Sequence, residues 1–254
     1  MPVFDAILPA GGKIPEPFAG RAGTDVKALI KFGEETILHR TVRVLRDTGV
    51  IGRIVVIGGD KVRADASSVA DSVLEEANSG PENILKGLKY LLALPDPPSK
   101  VFVITTDLPF LTAELLKTYI ALCPANKDIS VPLVSKAEWV EAYPNSSATF
   151  AKLADGDWTI GGAYLIDVKA LESAMPEIEK VFQNRKSILG MAKLLGPKFL
   201  IKFVTKTLTV QDVEQKIASM LGCTGAAIRN SPTALAYDID DIEDYEYALT
   251  QTMP

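Results

Sequence analysis

The chain has 254 residues, 47% hydrophobic and 23% charged, with a formal net charge of −5. That length covers one to two domains with a sizeable core and excludes a disordered chain, while the acidic balance argues against a general nucleic-acid binder and leaves room for a local site for a small anion. Two cysteines, Cys123 and Cys223, and a single histidine, His39, exclude zinc knuckles, iron–sulfur clusters, disulfide frameworks and multi-histidine metal sites, and all three read as structural.

Val3–Leu8 reads as a buried strand ending in Pro9-Ala10-Gly11-Gly12, and a polar, Gly/Pro-rich stretch runs on to about Asp25. Ala28–Phe32 is expected as a short strand and Ile37–Asp47 as a helix with apolar residues at three-to-four spacing. Arg53–Ile57 is a strand stopped by Gly58-Gly59. A helix opens at Gly80-Pro81-Glu82 and runs to about Leu92, with Pro81 suited to a first turn. Val101–Thr105 is a strand leading to Asp107-Leu108-Pro109, Thr112–Leu122 a helix, and Ile129–Val134 another strand.

The second half is less regular. Ala163–Ile166 follows Gly161-Gly162 as an apolar segment, with helical patterns around Val168–Phe182 and Ser187–Leu195. Phe199–Val204 is expected as a strand, Val210–Leu221 as a helix, Ala236–Ile239 as a short strand and Ile242–Thr250 as a closing helix. Strands alternating with helices imply a mostly parallel central sheet with helices on both faces, in one α/β domain. Ligands of such sheets bind beyond the carboxyl ends of strands, so residues that follow strands are the informative ones.

Three groups stand there. In the first, Ala10-Gly11-Gly12 lets the backbone turn sharply and present its N–H groups to phosphate oxygens, with Lys13, Arg21 and Lys27 as cations in the loop beyond. The loop lacks the Gly-Lys-Ser/Thr of a Walker A and the third glycine of a dinucleotide fingerprint. In the second group a hydrophobic strand delivers Asp107, a single carboxylate of the kind magnesium takes. The third is Asp238-Ile-Asp-Asp-Ile-Glu-Asp244. In a strand, Asp238 and Asp240 project to one face and can meet Asp107 around a metal. Alternatively Asp240 or Asp241 caps the helix from Ile242, or adjacent acids divide the two roles.

Taken together, Leu8-Pro-Ala-Gly-Gly with Arg21 and Lys27, Thr106-Asp-Leu-Pro109 and Asp238–Asp244 resemble the nucleotidyltransferases of the molybdenum-cofactor guanylyltransferase type, NTP transferases of the GT-A fold. The motifs span the chain from first strand to last helix. The resemblance implies a single Rossmann-like domain over residues 1–254, with a nucleotide-binding half of about 1–125 and an acceptor-binding half of about 126–254. It implies Mg²⁺-dependent transfer of an NMP from an NTP to a small phosphorylated or hydroxyl acceptor, with release of pyrophosphate. Ala10, Gly11 and Gly12 would cradle the phosphates, and Arg21, or Lys13 in its place, would face the leaving pyrophosphate. Lys27 would face the α-phosphate or the acceptor's phosphate. Asp107 and Asp240 would bind Mg²⁺, and Gly80 and Asn83 would contact base and ribose. Asp157-Trp-Thr159-Ile-Gly161-Gly162 resembles an acceptor loop in which Ala163 replaces an Asn, and Arg185 and Lys186 are cations suited to an acceptor phosphate.

Two departures from the pattern bear on these roles: Arg21 stands late after the glycine pair, and the acceptor loop lacks its Asn. A glycosyltransferase on the same fold is the alternative reading, and the lone Asp at Thr105–Pro109, in place of an Asp-x-Asp, favours nucleotidyl transfer. A non-catalytic nucleotide-binding protein is a third. The expected partners are an NTP and a small acceptor, with neither nucleic acid nor membrane. Without a basic leader or an apolar run of about 18 residues, cytoplasmic residence is expected. Base, acceptor and oligomeric state are not legible.

Overall fold

In the computed structural model, which describes residues 4–184 and 187–251, the apolar run Phe4–Pro9 forms β1 inside the sheet. The loop after it holds a short helix, α1 (Phe18–Ala22), and a 3₁₀ turn at Lys27–Leu29. A hairpin of β2 (Lys31–Phe32) and β3 (Glu35–Thr36) follows. Next come α2 (Ile37–Asp47), β4 (Ile51–Gly58), α3 (Asp60–Ala66), β5 (Ser72–Glu75), α4 (Gly80–Leu92), β6 (Lys100–Ile104) and α5 (Ala113–Leu122). The second half adds β7 (Ile129–Ser135), α6 (Lys136–Ala142), β8 (Ala151–Leu153), β9 (Gly156–Ile160), β10 (Ala163–Asp167) and α7 (Val168–Asn184). It closes with α8 (Ile188–Leu195), α9 (Pro197–Val204), α10 (Val210–Leu221), β11 (Gly225–Ile228) and α11 (Ile242–Thr250).

The sheet runs β5-β4-β1-β6-β10-β7-β9-β8, with β11 paired to β7. Strands β5, β4, β1 and β6 are parallel neighbours, and β11 is parallel to β7. β10 lies antiparallel between β6 and β7, and the β8–β9 hairpin extends the sheet. Successive residues of β1 serve opposite faces. Ala6 and Leu8 pack with Leu38, Val42 and Leu45 of α2, Val62 of α3 and Leu116 of α5. Ile7 packs on the other face with Leu88 and Leu91 of α4 and Leu171 and Met175 of α7. Both faces are thereby covered, as a mostly parallel sheet requires.

A third apolar cluster holds the loops near the carboxyl ends of the strands. Tyr237 stacks on Trp139, centroids 5.4 Å apart, and meets Phe110 edge-on at 4.8 Å. Tyr237 and Ile239 are fully buried, while Asp238 and Asp240 between and beyond them are exposed. The expected strand at Ala236–Ile239 is therefore a loop that follows a 3₁₀ turn over Thr233–Leu235. It keeps the alternation but joins no ladder, being tied at Ile239 N–H to the Asp107 carbonyl at 3.1 Å.

Two other elements differ from the reading of the sequence. Phe199–Val204 lies in α9, a helix opened by Pro197 at its first turn; its nearly continuous apolar run carries no period that separates strand from helix. Ala28–Phe32 divides into the 3₁₀ turn and β2. His39 is structural as expected: Nε2 lies 3.0 Å from the Asp65 carbonyl oxygen and joins α2 to α3. No helix of the described residues is long and apolar enough to cross a membrane.

Candidate active site

The glycine loop leaves β1 and folds back on residues 25–27. Lys27 N–H donates to the Gly12 carbonyl at 2.9 Å and Ile14 N–H to the Asp25 carbonyl at 3.1 Å. Ala10 N–H is taken by the Ile57 carbonyl at 2.8 Å, so it is not open to a ligand. Gly11 and Gly12 N–H have no acceptor among the described residues, which leaves two successive donors open to an anion. This fold-back sets the Lys27 stem against Gly12.

Lys27 projects into a cluster of acids. Its Nζ lies 2.6 Å from Asp240 Oδ1 and 3.3 Å from Asp107 Oδ2. One carboxylate oxygen from each of Asp107, Asp238 and Asp240 lies within 4.8 Å of the others. Burial pulls the Lys27 ammonium down, but the charge of Asp107 and the hydrogen bond to Asp240 outweigh it and hold the group above the ordinary lysine value. Asp238 is pushed up to about 7, first by desolvation and then by the like charges of Asp107 and Asp240, with Lys27 opposing. Asp238 keeps contact with water, so screening trims the energetic weight of that shift. Asp107 Oδ1 is buried and has no hydrogen-bond partner. An unpartnered buried carboxylate oxygen amid other carboxylates is an environment that a cation relieves.

Asp241, next in sequence, has the other role. Its side chain accepts from Glu243 and Asp244 N–H and forms a capping box with Asp244 that starts α11. Adjacent acids thus divide cluster and cap between them.

The remaining candidates fall in different places. Lys13 pairs with Asp25 at 3.7 Å and lines a depression of about 210 Å³ with Gly11, Lys61 and Glu76. Arg21, on α1, is held instead by Glu246 of α11 at 3.2 Å. Asn83 is buried; its Oδ1 accepts from Ala77 N–H at 2.6 Å, and its Nδ2 lies on the Gly11 side. Gly80 begins α4 and packs near Phe182. Thr159 lines a cleft of about 450 Å³ together with Asp238 and Asp240. Gly161 and Gly162 N–H are taken by the Pro132 and Leu235 carbonyls at 2.9 and 2.7 Å. A Cβ at Gly161 would collide with the Leu235 carbonyl oxygen, so this pair shapes the cleft wall through close backbone approach. Arg185 and Lys186 lie outside the described residues.

Sequence reasoning missed Glu76. It follows β5, and its carboxylate lies against both Gly11 and Gly59 at the carboxyl end of the sheet. Its signal was an acid after a short strand, hidden because Ser72–Glu75 is too brief to read as a strand.

The profile of the MobA-like NTP transferase domain matches residues 6–173, more than half of the chain. The chain belongs to the MobA-like NTP transferase family, and nucleotidyl transfer is its reaction class. That membership favours nucleotidyl transfer over the glycosyltransferase reading. No curated protein sequence matches significantly. Among solved structures, a hypothetical transferase from Thermus thermophilus is similar at 26% identity and TM-score 0.83, covering 95% of this chain and 99% of its own. A 4-diphosphocytidyl-2C-methyl-D-erythritol synthase from Anaerococcus prevotii shares the fold at 13% identity and TM-score 0.58, over 98% of this chain and 97% of its own. A nucleotidyl transferase from Methanothermobacter does so at 15% identity and TM-score 0.58, over 98% and 99%.

Proposed function

We propose that this member of the MobA-like NTP transferase family moves an NMP from an NTP to a small phosphorylated or hydroxyl acceptor, releasing pyrophosphate in a Mg²⁺-dependent reaction. The observation that carries the reading is the meeting of Lys27 with Asp107, Asp238 and Asp240 beside the open N–H groups of Gly11 and Gly12. An acceptor oxygen attacks the α-phosphorus. The bond from that phosphorus to the bridging oxygen breaks, and pyrophosphate leaves with the electron pair. Such transfers need positioning and charge stabilisation more than covalent help.

The residues fit magnesium: the donors are all carboxylate oxygens, and Asp107 offers one that nothing else satisfies. Asp107 and Asp240 would hold the ion, with Asp238 as the third carboxylate. When bound, it neutralises charge and polarises phosphoryl oxygens. Gly11 and Gly12 donate to the phosphates. Lys27 would stabilise the charge that develops at the α-phosphate. Lys13 suits the leaving pyrophosphate better than Arg21, because Lys13 lines the depression beside Gly11 and Arg21 is held by Glu246. Asn83 and Glu76 stand where a base or ribose would extend from that loop, and the cleft of Thr159, Asp238 and Asp240 receives the acceptor.

A thermal-shift panel of ATP, GTP, CTP and UTP, each with and without Mg²⁺, tests the reading. Ligand at ~100 times Kd adds about 2.7 kcal/mol to the native state. In a chain of this size that is roughly 5–10 °C. One NTP is expected to give a Mg²⁺-dependent shift that Asp107→Asn abolishes. A folded protein indifferent to all four, with and without candidate acceptors, rejects the nucleotide site.

A further inference from the structure

Beside the acid cleft lies a second space, an apolar cavity of about 320 Å³ between the sheet and the helical pair α9–α10. Val131, Leu133 and Trp158 line it from the strands, and Phe203, Val213 and Ile217 from the helices. Glu214, the charged member of the lining, is engaged: its Oε1 accepts from Ala227 N–H at 2.6 Å. A recess so lined favours apolar ligands over water. The apolar surface continues outward, with Phe203 57%, Ile217 44% and Ile160 61% exposed.

Strand β9 connects this cavity to the proposed acceptor site. Thr159 faces the cleft of Asp238 and Asp240, and Trp158 lines the cavity. The two spaces lie on opposite faces of β9, and Ile160, at the end of that strand past the β8–β9 ladder, lines both, so they adjoin around the strand end. One ligand can therefore place a polar head among the acids and an apolar part between sheet and helices. The cavity is a recess between strands and helices, a shape that a slender chain fills. At about twice the roughly 150 Å³ that accepts a benzene ring, it has room for about ten carbons.

We infer that the cavity binds a hydrocarbon chain and that the acceptor is amphipathic, its phosphate or hydroxyl head in the Asp238–Asp240 cleft and its chain passing Ile160. The second half of this inference rests on the reaction proposed above; the first does not.

The test is a chain-length series on the full-length protein without nucleotide: butyl to dodecyl phosphates with Mg²⁺, and the matching alcohols, below their micelle concentrations. Trp158 lines the cavity and Trp139 the acid cleft, so fluorescence reports both ends of the ligand and its dependence on chain length reads the cavity. Affinity for both series is expected to rise about fourfold per methylene and to level off near ten carbons. Phosphates are expected to bind more tightly than alcohols of equal length. Ala218→Phe and Val213→Phe, which fill the cavity from α10, should remove the chain-length dependence and keep the NTP-dependent thermal shift. If neither variant folds, the wild-type series decides. Affinity that ignores chain length overturns the inference while an intact NTP shift preserves the nucleotide reading. Chain-length dependence without any gain from the phosphate head overturns the amphipathic acceptor alone. A dimer that Phe203→Asp dissociates, in a protein that binds no alkyl chain, makes the cavity mouth an interface and also overturns it.

Discussion

Asp238→Asn is expected to stabilise the metal-free protein at pH 8 and to leave it unchanged at pH 4. The folded state binds the Asp238 proton more tightly than the unfolded state, with values of about 7 against 3.8. Stability from this group is therefore complete below pH 4, falls as pH rises towards about 7, and stays reduced above that. Geometry sets the size of the loss. Two charges no more than 4.8 Å apart repel by at least ~0.9 kcal/mol at the dielectric of water and ~3.5 kcal/mol at an effective value of 20. Asp238 has two such neighbours, partly offset by Lys27, and retains solvent access, which places the net effect at ~1–2 kcal/mol. For a domain of this size that is roughly 2–8 °C in Tm. Thermal unfolding in EDTA from pH 4 to 9 measures it directly: the wild-type curve should fall away from that of the variant between pH 4 and 7. Adding Mg²⁺ at pH 8 should restore more stability to the wild type than to the variant. Parallel Tm–pH curves, or equal gains from Mg²⁺, would refute a mutually repelling acid cluster built for a cation.

Lys27→Met keeps the apolar stem and removes the charge. It should slow pyrophosphate release from the active NTP by 10²–10³, equivalent to ~3–4 kcal/mol of barrier, and a rate within a few fold of wild type removes Lys27 from the reaction. The same variant in EDTA at pH 8 should be less stable, since three carboxylates lose their cation; unchanged Tm contradicts the 2.6 and 3.3 Å contacts. Asp241→Ala should cost ~1 kcal/mol through the lost N-cap of α11, whereas Asp241→Asn should cost little; equal Tm values for the two would show that capping is not its role. Gly161→Ala should cost about 1–3 kcal/mol by overpacking against the Leu235 carbonyl, and a wild-type Tm would show that the backbones there have room to part.

Helices with clear periodicity were legible residue by residue. Ile37–Asp47 and Gly80–Leu92 lie where the apolar spacing and the Pro81 first turn put them. The three motif groups were legible because a parallel sheet delivers the residues after its strands to one end. Short elements were not. β5 has four residues, and β8 and β9 carry mixed polarity, so neither shows a period that stands out from a loop. The role of Glu76 went unseen with β5, and the apolar cavity went unseen because Phe199–Val204 reads equally well as strand or helix.

By itself the sequence determined the α/β class, the glycine loop after the first strand, Asp107 at a strand end and the acids near Asp240. Local chemistry suffices for these: apolar runs, turn-forming glycines and carboxylates after strands. Only the tertiary structure decided which acids meet. Asp238 and Asp240 face Asp107 through no ladder; burial of Tyr237 and Ile239 against Trp139 and Phe110 turns the intervening acids outward. Only the fold-back of residues 25–27 brings Lys27 across to Asp240, 213 positions away in the chain. Arg21, close to the glycine pair in sequence, is drawn instead to Glu246. Sequence distance fixes none of these pairings, because they are set by which apolar neighbours each loop buries.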